Sequence, residues 1–206
     1  LKKGDLRKSQ NLMLETVKKS EPWSRNYNLL GIISDKKGEL DAAEKYFFTA
    51  ANYSSYDDPD ALMNLAMLYD KKDEKEKAES FWKLAFEKKK NASLLYNYGY
   101  RLQKQGKTDD ALKFYGEALQ KQPFHPGSLN NSAVIMMQKG DLAPALGYFE
   151  KAFYFSNEKP EYGLNFAFAL YQNGKKTQAL NIISSLEKKY PDKSIQNKID
   201  ELKKMK

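Results

Sequence analysis

The chain has 206 residues, is 41% hydrophobic and 30% charged, carries a net charge of +8, and contains no cysteine and one histidine. Disulfides and thiolate metal sites are therefore excluded, and imidazole chemistry is all but excluded. The longest apolar stretches fall far short of a bilayer-spanning run, so no membrane span is expected.

The charge is concentrated at the two ends. Residues 1–20 carry six Lys or Arg against Asp5 and Glu15, and residues 188–206 carry seven Lys against Asp192, Asp200 and Glu201. Each end is thus +4 and the span 21–187 is neutral. A basic excess at the ends, rather than along the body, argues against nucleic acid as the partner.

In chain order, Asp5 to Lys19, followed by Pro22, reads as a helix with an incomplete apolar stripe of Leu6, Leu12, Leu14 and Val17. Its pattern suits the second helix of a repeat whose first is missing, in a fragment of a longer array or a mature form with a degenerate start. From Ser24 one pattern then returns five times, in units starting at Ser24, Pro59, Ala92, Pro126 and Pro160. Position 8 of each unit is small: Gly31, Ala66, Gly99, Ala133 and Ala167. Position 15 marks a turn with Gly38, Asp73, Gly106, Gly140 and Gly174, and position 20 is Ala43, Ala78, Ala111, Ala145 and Ala179. Position 24 holds Phe47, Trp82, Tyr115, Phe149 and Ile183, and position 27 holds Ala50, Ala85, Ala118, Ala152 and Leu186. Two helices joined by a short turn approach closely only where small residues meet, so positions 8 and 20 make the contact and position 24 fills the space beside it. Pro144 fits a helix start if Asp141 caps it. After Pro191, Ile195, Ile199 and Leu202 mark a short amphipathic helix. His125, in Pro123-Phe124-His125-Pro126, reads as an exposed loop residue.

These five in-phase matches resemble the tetratricopeptide repeat, a helix–turn–helix unit of about 34 residues. The resemblance implies an all-α solenoid, a right-handed superhelix with an extra N-terminal helix and a C-terminal capping helix. The expected segments are 1–23 (partial repeat), 24–58, 59–91, 92–125, 126–159 and 160–191 (five repeats), and 192–206 (cap and basic tail). Repeat 1 departs from the pattern with Ser55 in place of the closing Pro, and repeat 5 with Gly163 at position 4.

At ~100° per residue, first-helix positions 2, 5, 6, 9, 12 and 13 form the stripe opposite the packed side. Position 6 supplies Asn64, Asn97, Asn131 and Asn165, a ladder of amides that can pair with a ligand backbone or bond within the array. Beside it lie Met63, Met67, Tyr96, Tyr100, Asn130, Val134, Leu164, Phe168 and Tyr171, the apolar members of which are expected to face solvent and mark an interaction surface. Family members that clamp a C-terminal carboxylate resemble one another in basic residues at positions 2, 5 and 6; here only Arg25 occupies such a place.

The expected function is a non-catalytic scaffold that binds an extended or helical segment of a protein or peptide partner. The alternative is a bacterial envelope assembly factor similar to the tetratricopeptide pilotins of pilus and secretion machinery. No phosphate loop, metal-ligand spacing or nucleophile–base pair occurs, so no enzyme activity, cofactor, metal or small-molecule substrate is expected. The compartment stays open between cytoplasm and bacterial periplasm or envelope, with a lean to the envelope, and the oligomeric state is open too.

Overall fold

The structure, a computed structural model, describes residues 3–19 and 23–204, with side chains for 5–15, 23–193 and 195–204. Among the described residues there are twelve helices and no strand. The chain divides into two units, residues 1–90 and 91–206. The first contains α1 (Lys3–Lys19) and two helix pairs, α2 (Ser24–Lys37) with α3 (Leu40–Tyr53) and α4 (Pro59–Lys71) with α5 (Lys75–Lys88). The second contains three pairs and a cap: α6 (Ala92–Lys104) with α7 (Thr108–Lys121), α8 (Pro126–Gln138) with α9 (Leu142–Phe155), α10 (Pro160–Gln172) with α11 (Lys176–Lys189), then α12 (Lys193–Lys203).

Each pair is joined by a tight turn whose residue at position 15 takes a left-handed conformation. The φ values are 82° at Gly38, 58° at Asp73, 78° at Gly106, 88° at Gly140 and 74° at Gly174. That conformation lets the turn N–H groups reach back to the last carbonyls of the first helix, as from Gly38 to Asp35 and from Glu39 to Ser34. Pro59, Pro126 and Pro160 open α4, α8 and α10, where a missing N–H has no intrahelical acceptor to lose. Asp58 caps α4 with its carboxylate, accepting from the N–H groups of Asp60 and Ala61. Asp141, expected to cap α9, makes no side-chain cap; only its backbone carbonyl engages, accepting from Ala145 N–H at 3.2 Å. Pro144 still sits harmlessly in the first turn. Pro22, expected to end the first helix, lies outside the described residues.

The small positions are where the helices meet. All five alanines at position 20 are buried, and the rings Phe47, Trp82, Tyr115 and Phe149 are buried beside them. A Cβ on Gly99 would come within 2.9 Å of the Tyr115 ring, so that ring occupies the space a larger residue would take. Gly163, the departure in repeat 5, has the same cause: a Cβ there would meet Phe153 at 2.8 Å and Leu186 at 2.9 Å. Repeats 1 and 4 leave their second helix by a shared turn with two successive left-handed residues, Ser55–Tyr56 and Asn157–Glu158. In each, a serine at the helix end (Ser54, Ser156) accepts a hydrogen bond from the backbone of the outgoing chain.

Within the first unit α1 packs on α2, with Leu6 buried and Leu12 exposed; the side chain of Val17 lies outside those described. Within the second, α12 packs on α10 and α11 through buried Ile199, flanked by Ile195 and Leu202. That is the capping role expected of it, burying an end that a further repeat would otherwise cover.

Ala111 lies fully buried where α7 meets α6, its carbonyl 3.3 Å from where a Gly99 Cβ would stand. Ala111→Leu should overpack it and cost about 1–3 kcal/mol, read as a lower urea midpoint. An unchanged midpoint would contradict the assignment of position 20 to the close contact.

Candidate partner-binding face

In the second unit the first helices α6, α8 and α10 lie side by side and carry positions 6, 9 and 12 on one face, with position 5 at its edge. The amides there form a directed chain of hydrogen bonds. Asn165 Nδ2 donates to Asn130 Oδ1 (2.8 Å), and Asn130 Nδ2 donates to Asn131 Oδ1 (3.1 Å). Asn131 Nδ2 donates to the Tyr115 hydroxyl (3.1 Å), which donates in turn to Gln103 Oε1 (2.7 Å). Asn97 Nδ2 donates to the Ser93 carbonyl of its own helix at 2.9 Å. In the first unit Asn64 Nδ2 donates to Asn28 Oδ1 at 2.8 Å. All four ladder asparagines thus commit an amide donor inside the array, while each Nδ2 carries a second N–H.

The flanking residues divide by depth. Tyr100 of α6 and Met67 of α4 are exposed, at 42% and 38%. Asn64, Tyr96, Asn97, Asn131, Val134, Asn165, Phe168 and Tyr171 are half-buried. Met63, Asn130 and Leu164 are not on the open face: they are 7%, 7% and 9% exposed. All three occupy position 5, which turns toward the neighbouring first helix, so the expectation that Met63 and Leu164 face solvent is corrected. Met63 lies in α4, packed on α2, and Asn130 lies between α8 and α10. Leu164 belongs to the core cluster under α10.

Two aromatic rings on the face carry an ammonium group above them. Lys104 Nζ stands 5.7 Å from the centre of Tyr100 and Lys176 Nζ 5.1 Å from that of Tyr171. At the far end α12 borders the face, where Lys198, Glu201 and Leu202 line a cleft with Glu161, Leu164 and Asn165.

His125 is half-buried, not an exposed loop residue. Its Nδ1 accepts from Ser128 N–H at 3.1 Å, capping α8, and its ring centre lies 4.9 Å from that of Tyr96. Burial pushes its imidazole pKa below the ordinary value of 6.5. Burial likewise raises the phenols of Tyr96 and Tyr115, the hydrogen bond from Asn131 opposing it in both.

One functional pairing is absent from the reading of the sequence. Position 12 of the first helix serves as acceptor for the ring at position 24: Trp82 Nε1 donates to Asp70 (2.8 Å), and the Tyr115 hydroxyl donates to Gln103. The sequence alone does not mark the pairing: position 12 is Met137 beside the donor-free Phe149, but Asp35, paired with Lys71, beside the equally donor-free Phe47. Among the described residues no cluster of three His, Cys, Asp or Glu is placed to hold a metal, and no helix is long and apolar enough to cross a membrane.

Three segments of the chain, 59–87, 92–125 and 163–193, match family models of the tetratricopeptide repeat. The chain belongs to the tetratricopeptide-repeat family. Its fold is similar to that of Pseudomonas aeruginosa pilF, at 24% identity and a TM-score of 0.66, over 78% of this chain and 73% of that one. It is also similar to YrrB, described as a TPR protein with an unusual peptide-binding site (16% identity, TM-score 0.54, 89% and 94% covered). A third likeness is to the APC/C hetero-tetramer Cut9-Hcn1 (16% identity, TM-score 0.70), covering 98% of this chain and 39% of that one. These identities carry the fold alone. As a tetratricopeptide-repeat protein the chain is a protein–protein interaction scaffold of a generally non-catalytic family.

The amide chain makes the asparagines unequal. Asn131→Ala removes the acceptor for buried Asn130 and a donor to Tyr115, and should cost about 1–3 kcal/mol. Asn97→Ala removes a bond to its own helix and no link of the amide chain that runs from Asn165 to Gln103, and should cost less. Chemical denaturation of the two variants side by side separates them; equal losses would mean that the amide chain does not hold the second unit together.

Proposed function

We propose that the face formed by α6, α8 and α10 binds an extended segment of a partner polypeptide. The observation that carries this reading is the alignment of half-buried Asn97, Asn131 and Asn165 beside exposed Tyr100 and half-buried Val134, Phe168 and Tyr171. An extended strand offers a backbone group every residue and side chains on alternate sides. The second N–H of Asn165 is suited to a backbone carbonyl, and the rings to the side chains. Asn64 and Met67 offer a smaller counterpart on α4 of the first unit. Buried Met63, Asn130 and Leu164 act as supports, not as contacts. The likenesses to YrrB (16% identity) and to Pseudomonas aeruginosa pilF (24%) carry the fold and no role, so neither decides between this reading and the pilotin-type alternative; the peptide-binding reading is preferred on the face itself.

Because three asparagines also hold the array, substituting them tests stability and binding together. The rings are the cleaner probe. Peptides selected on the protein from a random twelve-residue display library should lose roughly tenfold in affinity with Tyr100→Ala and again with Phe168→Ala. Tyr154→Ala, on the exposed side of α9, should change nothing. Salt should weaken binding only slightly, since the repeat span is neutral, whereas a phosphate-backbone ligand would show a steep fall. If the Tyr100/Phe168 double variant, folded and melting as wild type, holds the peptides undiminished, the face is not the binding surface.

A further inference from the structure

The histidine at the head of α8 has no part in the binding face as described, yet its geometry joins that face to solvent pH. His125 N–H donates to the Gln122 carbonyl at 3.0 Å, which fixes the residue at the end of the α7–α8 turn. Its Nδ1 accepts from Ser128 N–H at 3.1 Å and lies 2.9 Å from the Ser128 hydroxyl. Accepting through Nδ1 requires the neutral tautomer with its proton on Nε2. Ser128 is fully buried, so no water can replace the imidazole as acceptor for its N–H.

The ring is also a wall for Tyr96. Tyr96 is held between His125 (4.9 Å between centres), Tyr115 (5.9 Å) and Gly127, whose missing Cβ would lie 2.8 Å from the phenol ring. Asn131, in the amide chain, hydrogen-bonds both Tyr96 and Tyr115.

We propose that His125 is an acid-sensitive N-cap of α8, whose protonation loosens the first turn of that helix and the packing of Tyr96. That this in turn alters partner binding rests on the function proposed above; the titration of the cap does not. A proton added at Nδ1 turns the acceptor into a donor. The Ser128 hydroxyl can rotate to accept from it, but the Ser128 backbone N–H is left without a partner. The groups that face the imidazole offer the proton no carboxylate: Tyr96 of α6 lies against the ring, with Tyr115 of α7, Tyr100 of α6 and Tyr162 of α10 acting on Tyr96 in turn. Tyr96, Tyr115 and Tyr162 are phenols raised further by burial, and they stay neutral through the acid range.

The sign follows from burial. The folded state holds His125 below its ordinary value, so the unfolded chain binds the proton more readily. The cap contribution is therefore complete above about pH 6.5 and is lost as pH falls through the lower, folded-state value.

With one histidine in the chain, its imidazole resonances are assigned without ambiguity. Nuclear magnetic resonance on the full chain should show them titrating below pH 6.5. Protection of the Ser128 amide from hydrogen exchange, corrected for intrinsic rate, should fall about five- to tenfold from pH 7 to pH 5. His125→Asn retains a capping oxygen that does not titrate and should keep that protection constant across the range. An imidazole titrating at or above 6.5, or Ser128 protection that is flat in the wild type, overturns the proposal. So does a folded His125→Asn protein that loses protection with acid as the wild type does. None of these readouts uses a ligand, so they decide the matter whether or not the display peptides bind.

Discussion

The close approach of each first helix to its own second helix is the constraint on which the rest depends. It is set by the small residue at position 8 and the alanine at position 20, and it leaves a space that the position-24 side chain fills. Trp82 and Tyr115 are large enough to fill it but bring a polar atom inside. A buried N–H or O–H without a partner costs about as much as the hydrogen bond it lacks. Asp70 and Gln103 answer that demand from the last turn of the first helix. Where the filler is Phe149 no such demand exists, and position 12 is free to be Met137.

The same requirement governs the open face. Once Tyr115 is inside and its hydroxyl is bonded to Gln103, its remaining acceptor capacity is met by Asn131. Asn131 then accepts from Asn130, and Asn130 from Asn165. The amides that line the face are thus the outer end of a polar chain that starts in the core. Their orientation is set from within, which fixes donors in place before any ligand arrives and lowers the ordering cost of binding.

The repeat pattern was legible because it records sterics, which act on each unit alike. The period, the turn residues, the buried alanines and the short capping helix all follow from residues compared only with their own equivalents. The stripe of residues on the open face was legible in outline for the same reason, since a stripe is a property of one helix. What escaped was whatever depends on a neighbouring helix. Met63 and Leu164 share the stripe with Met67 and Phe168 on a helical wheel, but position 5 points sideways into the next first helix and is buried there. His125 sits between two prolines in a segment that reads as a loop, and only the packing of Tyr96 onto Gly127 draws it inside. Asp141 precedes its helix as a capping residue should, yet its side chain goes unused because the backbone of the tight turn already meets the helix end.

A surface whose amides are tied to the core cannot be altered for affinity alone. Asn131 touches Tyr96, Tyr115 and Asn130, so any change there alters the packing of three helices. Tyr100 and Phe168 carry no such obligation: no side-chain hydrogen bond of the amide chain runs through them, and Tyr100 is 42% exposed. If the proposed face takes a partner, Tyr100 and Phe168 at position 9 are therefore the residues whose change would alter which partner fits while leaving the amide chain beneath them intact.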